Sequence, residues 1–343
     1  MARYKKIDML LSPAILALIG VSITVTALLL LAAVFAVRVL RRWDIHSGSE
    51  LQLQLERSTY LISTLVTFAI AAEVVALLLF VYNAEAMHTQ FVGAMCATGA
   101  LNANAWGWPA LLLKIAVFFI GGIWLLVNRL DNQGYDYPLI RRKYALLLLL
   151  LPLVATSAVV QLIYFLELNP DVITSCCGSL FSADAQGVAA EMSSVAPRDA
   201  MFALYGSAVL VLGSGGFYLW RRRAAALFAA SAAVAFPIAL VAIISCIALY
   251  VYEHPHHHCP FCILKSGHSY IGYALYLPLF LATLFALGAG VVAPWRKIPS
   301  LAQAVSNDAP RYAALALVGF VLFYSIASLA ILRSNLSMAG TWW

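Results

Sequence analysis

The sequence predicts an all-α integral membrane protein whose eight transmembrane helices form two parallel four-helix repeats. Of its 343 residues, 63% are hydrophobic and only 10% are charged, and the mean hydropathy is +0.90. Soluble domains carry about 25% charged residues. Eight segments reach the roughly 20 apolar residues that a bilayer span needs, and short matches recur along the chain. This composition excludes a soluble enzyme, a disordered chain and a nucleic-acid-binding protein, so the lipid bilayer is the first expected partner.

The eight apolar segments follow one another with short polar connections between them. None of the connections is long enough to fold as a separate soluble domain. The predicted spans are residues 12–40, 59–84, 108–128, 142–167, 199–220, 224–252, 269–293 and 311–333.

Basic residues determine the predicted orientation. Most of the 21 Lys and Arg residues lie in the connections after the odd-numbered spans, and the positive-inside bias makes that face cytoplasmic. We therefore expect a bacterial inner-membrane protein with both termini extracytoplasmic. The cysteines then lie toward the extracytoplasmic face, where thiols oxidise or bind metals. The basic face consists of Arg38, Arg41, Arg42, Arg57, Arg129, Arg141, Arg142, Lys143, Arg221, Arg222, Arg223, Arg296, Lys297 and Arg311.

An internal repeat is indicated by three matches at nearly equal offsets, which is how repeated units are recognised. The matched pairs are Tyr82 with Tyr252, Gly107 with Gly272, and Tyr144 with Tyr312. Because each unit has an even number of helices, the two copies run parallel. The sequence thus predicts a four-helix unit over 1–168, an extracytoplasmic cysteine-containing loop over 169–198, and a second four-helix unit over 199–343.

The densest group of reactive side chains is HPHHHCPFCILKSGH, residues 254–268. Cys259 and Cys262 have the spacing of a redox disulfide or of two ligands to a soft metal. We expect Pro260 in the first turn of the seventh helix and Cys259 at its cap, where the helix dipole favours a thiolate. Imidazole and thiolate ligands suit copper and zinc, and a purely structural disulfide is the remaining alternative. The metal alternative uses His254, His256, His257, His258, Cys259 and Cys262.

Three further cysteines complete the predicted extracytoplasmic set. Cys176 and Cys177 are adjacent, and adjacent cysteines rarely bridge each other without strain. Each is therefore expected to pair with a distant thiol, for which Cys96 is the natural candidate, or to bind a metal. Two inert disulfides across the outer loops are the alternative.

The segment CATGALNANAWGWPALLLK, residues 96–114, resembles the vitamin K epoxide reductase family. In that family a loop cysteine precedes Ser and Asn residues and a Gly-x-Pro that opens an apolar helix. Here Cys96, Asn102, Asn104, Gly107 and Pro109 follow the same order. The resemblance covers about 20 residues and implies a four-helix bundle with a CxxC near the outer surface, which passes electrons from thiols to a quinone. Unlike that family, this chain has its CxxC in the other half.

Two charges fall inside predicted spans, Glu73 in the second and Lys114 in the third. Intramembrane charges are costly and are usually paired or functional. Their similar depth on consecutive helices predicts an ion pair. Its role is either structural or that of a proton relay.

Three functions follow from these features. In a thiol–disulfide oxidoreductase, Cys259 would attack a substrate disulfide, Cys262 would resolve it, the other outer cysteines would act as relay, and a quinone would be the electron partner. A copper- or zinc-binding, delivery or transport protein would use the Cys and His residues instead. A non-catalytic subunit of a larger membrane complex would need neither. An extracytoplasmic thiol or metal carrier protein is the expected soluble partner of the first two.

Overall fold

The computed structural model describes residues 7, 9–45, 47–169, 171–172, 174, 192 and 194–338. Most of them lie in eight long helices, each long and apolar enough to cross a membrane, which confirms the predicted number of helices. We name these helices α1 to α8 in chain order. They are α1 Pro13–Arg42, α2 Glu50–Met87, α3 Gly107–Asp131, α4 Ile140–Leu166, α5 Pro197–Arg221, α6 Ala225–Tyr252, α7 Ile271–Val292 and α8 Ala302–Arg333.

Two helices begin well before the apolar segments that predicted them. Helix α2 starts at Glu50 because the side chain of Ser49 accepts the Gln52 N–H at 3.3 Å, which is a standard N-cap. Helix α8 starts at Ala302 and continues through Pro310. Hydropathy detects only the apolar part of a helix, so the polar first turns of both helices lie outside the predicted spans.

The first compact unit contains helices α1 to α4, together with residues 295–304. Each helix packs against its neighbours in the chain, and α1 also packs against α4, which closes a four-helix bundle. Large side chains fill its centre. Trp124 and Tyr144 are fully buried, and Tyr144 meets Phe35 edge to face with ring centroids 5.5 Å apart.

The second compact unit contains helices α5 to α7, most of α8, and the short segment Gly93–Thr98. Helix α6 packs against α5 and α7. Helix α8 contacts α5 through the hydroxyls of Tyr324 and Ser207, 2.9 Å apart. It also approaches α7 at Gly319, where a Cβ would lie 2.9 Å from the Cβ of Ala282. The helices of this unit therefore neighbour one another in the same order as those of the first.

Helix α6 changes its winding close to its C-terminal end. Residues Ile243–Ile247 form a π-helical turn, and the last turn, Ala248–Tyr252, returns to α-helix. Single π turns inside α-helices are frequent at functional sites. The loop that carries the histidines and the CxxC begins directly after this last turn.

Two sequence-based expectations about helix ends are wrong. Lys143 lies inside α4 and is fully buried, so it does not belong with the exposed basic residues. Helix α7 begins only at Ile271, so Pro260 and Cys259 are not at its start. Ser269 and Tyr270 have φ of 54° and 55°, and two successive left-handed residues cannot continue a right-handed helix.

Candidate functional site

Three thiols meet in the second unit. The Sγ atoms of Cys96, Cys259 and Cys262 all lie within 4.8 Å of one another. The closest contact joins Cys96 and Cys259, whose Sγ atoms are 3.1 Å apart. The three residues are 0%, 2% and 8% exposed, so the cluster is shielded from solvent. We call these three residues the thiol cluster.

Two separate stretches of chain supply the thiol cluster. Cys96 lies in the segment Gly93–Thr98, just before the short helix Ala97–Leu101. Gly93 begins this segment with a φ of 82°, a conformation that glycine adopts without strain. Cys259 follows the histidine loop after α6, and Cys262 starts the 3₁₀ turn Cys262–Leu264. The cluster therefore depends on tertiary packing and not on one local motif.

Hydrogen bonds to backbone carbonyls hold these stretches in place. The Tyr252 hydroxyl donates to the carbonyl of Cys259, and the Tyr276 hydroxyl donates to that of Pro260 at 2.9 Å. Lys265 Nζ donates to the carbonyl of Met95 at 3.0 Å, which ties the second stretch to the first. Such supporting contacts fix ligand positions in metal and redox sites.

Gly272 lets the CxxC turn pack closely against the first turn of α7. A Cβ at this position would lie 2.8 Å from Ile263 Cγ1 and 3.0 Å from the Ile263 carbonyl oxygen. No larger residue fits there without moving the turn that carries Cys262. Gly272, whose match with Gly107 was one basis for predicting a repeat, is thus a packing requirement of the site.

The thiols of the cluster differ in acidity because of their mutual contacts. Hydrogen bonds from Cys262 and from Cys96 hold the pKa of Cys259 well below its usual range, against the opposing effect of burial. The Thr98 hydroxyl, 3.2 Å from Cys259 Sγ, and the Phe261 N–H add to this lowering. The same contact with the Cys259 thiolate raises the pKa of Cys262. Hydrogen bonding in the cluster thus favours the thiolate of Cys259 over that of Cys262.

The helix-dipole explanation expected from the sequence does not apply, since Cys259 is not at the start of α7. The donors that favour its thiolate are the two neighbouring thiols, a hydroxyl and one backbone N–H. Direct hydrogen bonds to the charged form lower a pKa in the same direction as a dipole would. The low pKa was therefore expected for the wrong reason.

The five histidines of the motif do not join the thiol cluster. Among the described residues, the one group of three or more potential metal ligands consists of the three cysteines alone. His254 and His256 are exposed, and His257 packs on Tyr252. His258 is buried, with Nδ1 3.0 Å from the carbonyl of Ile244 in the π turn of α6. Burial lowers the pKa of His258, as it does that of His268, so both rings favour the neutral form.

The remaining cysteines have different outcomes. Cys176 and Cys177 lie outside the described residues, so their predicted pairing stays a prediction. Cys96, which was proposed as their partner, is in the thiol cluster. Cys246 is buried within the π turn of α6 and is not a member of the cluster. A signal for Cys96 was present in the sequence, because it lies in the connection between α2 and α3, and Cys259 and Cys262 lie in the connection between α6 and α7.

Glu73 and Lys114 lie together in the first unit. Lys114 Nζ is 3.6 Å from Glu73 Oε2, and both side chains are almost fully buried. The ammonium group also lies 5.9 Å from the ring centre of Phe80. Val66, Ile70 and Val117 of the apolar core lie one or two helical turns away on α2 and α3. The ion pair therefore joins α2 to α3 beside this core, which is a structural role.

A second buried ion pair was not predicted. Lys143 Nζ is 2.7 Å from Asp131 Oδ2, and both side chains are fully buried. The other oxygen of Asp131 accepts the Leu139 N–H at 2.9 Å, and Trp124 Nε1 donates to the carbonyl of Lys143 at 3.1 Å. The signal in the sequence was the position of the two charges, at the end of α3 and the start of α4, and Lys143 was interpreted as a loop residue.

No family model matches the chain, and neither a curated protein nor a solved structure matches it. What the site can do therefore follows from its own chemistry. Three buried thiols offer three soft donor atoms at one point. Such a set can bind a soft metal ion or exchange disulfides within itself.

Proposed function

We propose that this protein is an integral membrane protein that binds copper(I) through the thiolates of Cys96, Cys259 and Cys262. The observation that carries the proposal is the convergence of three buried sulfurs within 4.8 Å of one another. A redox disulfide needs two sulfurs, and the third is what a metal site adds. Binding would displace the remaining thiol protons, because thiolates are the ligands.

The composition of the cluster favours copper(I) over zinc. Thiolate ligands select both ions. Structural zinc sites, however, take four protein ligands, and catalytic ones add water to three. Within the described part of the chain the group has no imidazole or carboxylate member, and burial disfavours a bound water. A three-coordinate ion that tolerates sulfur alone fits this donor set better.

We further infer that the eight helices cross the lipid bilayer with the thiol cluster on the extracytoplasmic side. The loops that supply the cluster follow α2 and α6, and the basic residues concentrate in the connections after odd-numbered helices. The positive-inside bias then assigns those connections to the cytoplasm and both termini to the outside. An extracytoplasmic carrier protein is the expected copper donor or acceptor.

The two units are proposed to be parallel copies of one four-helix repeat. Three sequence matches at similar offsets support this, as do the same order of neighbouring helices in each unit and cysteines in the same connection of each copy.

The test is a copper(I) titration of the full-length protein, reduced and purified under argon in detergent. We expect one equivalent to resist a chromophoric copper(I) chelator, with only sulfur in the first shell by X-ray absorption. Retention of the metal in the Cys96→Ser variant, or a shell of nitrogen and oxygen, would contradict the proposal. Cys246→Ser is the matched control, since Cys246 is a buried thiol outside the cluster.

Thiol–disulfide exchange is the second candidate, and one observation favours it. Cys259, the thiol with the lowered pKa, has Sγ only 3.1 Å from Cys96 and a CxxC partner in Cys262. A substrate dithiol could reduce a disulfide formed by Cys259, and a quinone could take up the two electrons and two protons on reoxidation. The residue's 2% exposure opposes direct attack on a protein substrate, because such exchange requires access.

The two candidates predict different behaviour of the reduced protein. An oxidoreductase would show a defined disulfide potential without bound metal, and Cys259→Ser would abolish exchange with a small disulfide substrate. Measuring thiol content and metal content on the same anaerobic sample separates the two.

A further inference from the structure

Two histidines pack against Tyr252, the last residue of α6. The ring centres of His257 and Tyr252 are 4.1 Å apart, and those of His268 and Tyr252 are 4.6 Å apart. His257 comes from the loop before the CxxC, and His268 from the 3₁₀ turn after it. Two imidazoles, one from each side of the CxxC, thus contact the same aromatic ring.

This histidine pair adjoins the thiol cluster. The Tyr252 hydroxyl donates to the carbonyl of Cys259, so the ring that carries the two imidazoles also holds the loop of the central thiol. Both histidines are half-buried, whereas the cysteines are almost inaccessible. The two imidazoles are therefore the more accessible donors beside the loop that carries Cys259.

We infer that His257 and His268 form a second, weaker copper site that receives the incoming ion and passes it to the thiol cluster. The inference rests on the proposed function. Neutral imidazole binds copper, and copper(I) is held more tightly by thiolates, so the transfer is downhill. A copper ion held by two histidines keeps open coordination positions, which ligands of a donor molecule can occupy. A copper ion held by three buried thiolates does not.

The neighbouring histidines serve as a matched comparison. His254 and His256 belong to the same loop and are exposed, and His254 Nδ1 accepts the backbone N–H of His256 at 3.2 Å. Their ring centres are 6.1 Å apart. The two pairs have the same residue type and nearly the same position, and they differ in exposure, since His257 and His268 are half-buried.

The first experiment uses the full-length C96S/C259S/C262S variant, from which the thiol cluster is removed. With copper(I) as the probe under argon, we expect about one weakly held equivalent with nitrogen in its first shell. This equivalent should be lost on adding H257A and H268A, and kept on adding H254A and H256A. No binding, or binding that survives loss of His257 and His268, would overturn the inference.

The second experiment keeps the thiols. In the H257A/H268A variant, loading of the thiol cluster from a copper(I) chelate should slow by about tenfold or more, because capture no longer raises the local copper concentration. The equilibrium affinity of the cluster should be unchanged, and H254A/H256A should load normally. An unchanged loading rate would overturn the transfer role. If the thiol cluster itself held no copper, the proposed function would fail while the first experiment still reported on the histidine pair.

Discussion

The two compact units bury polar groups in opposite ways. In the first, the buried charges come in pairs of opposite sign, Glu73 with Lys114 and Asp131 with Lys143. In the second, three groups of the same kind, the cysteine thiols, lie together. Within the part of the chain that the structure describes, this group of potential ligands includes no acidic or imidazole side chain.

The two arrangements differ in how their buried charge is balanced. A buried carboxylate beside a buried ammonium is neutralised by its partner, and the pair fixes the packing of its helices. Several thiolates in one buried place repel one another unless they keep protons or gain a cation. The charges of the first unit are therefore neutralised in pairs, whereas the thiols of the second can keep their protons or exchange them for a bound cation. The predictions below test this distinction.

The largest expected effect is on the stability of the first unit. Asp131→Asn leaves the Lys143 ammonium buried without its counter-charge, which costs about 3–5 kcal/mol when a buried pair is broken. Thermal unfolding in detergent, followed by tryptophan fluorescence, should show a clear loss of stability. The D131L/K143M double variant should recover much of it, because both charges are then gone. If the single and double variants were equally unstable, charge pairing would not be the cause.

The next effect concerns copper. Cys96→Ser should weaken copper(I) binding by more than the roughly 10–100-fold that loss of a second-shell partner costs, with little change in thermal stability. The measurement is competition with a copper(I) chelator, and Cys246→Ser should bind as the parent does. Equal affinities for the two serine variants would place the metal elsewhere.

Glu73→Gln should have a smaller effect than Asp131→Asn. Its ion pair is longer, 3.6 Å against 2.7 Å, and Asp131 also accepts the Leu139 N–H. We expect a loss of about 1–3 kcal/mol, that of a buried group left unpaired, and no change in copper affinity. Weakened copper binding or loading in this variant would show that the pair is functional and not only structural.

Much of the fold could be predicted from the sequence because hydropathy reports burial in lipid residue by residue. The eight long apolar helices follow from that signal, and Glu73 and Lys114 stand out as charges within them. The polar first turns of α2 and α8 do not, since hydropathy does not register helix that is not apolar. Lys143 was interpreted as a loop charge for a related reason: its partner Asp131 lies on another helix, and only packing reveals the pair.

The thiol cluster was only half predictable. Cys259 and Cys262 are marked by their spacing, which is a local property. Their connection to Cys96 depends on how segment 93–98 packs with the second unit, and sequence distance hides that contact. The histidines of the motif show the opposite case. They are close to Cys259 in sequence and were predicted as metal ligands with it, but their rings do not join the cluster.

The smallest expected effect tests what favours the Cys259 thiolate. Thr98→Val removes the hydroxyl 3.2 Å from Cys259 Sγ and keeps the shape of the side chain. A hydrogen bond to the charged form lowers a pKa, so its loss should raise the pKa of Cys259. At a fixed pH between the two values, the variant then carries less thiolate than the parent. A pH titration of the thiolate ultraviolet absorbance in metal-free protein measures the shift.

Thr283→Val is the control, because the Thr283 hydroxyl donates to the Leu279 carbonyl of its own helix. If the Thr98 variant titrated at the same pH as the parent, the Thr98 hydroxyl would not contribute to the low pKa of Cys259. The neighbouring thiols would then be the sole side-chain cause of that low pKa, and the contrast with the first unit, where charges are stabilised by partners of another kind, would be weaker.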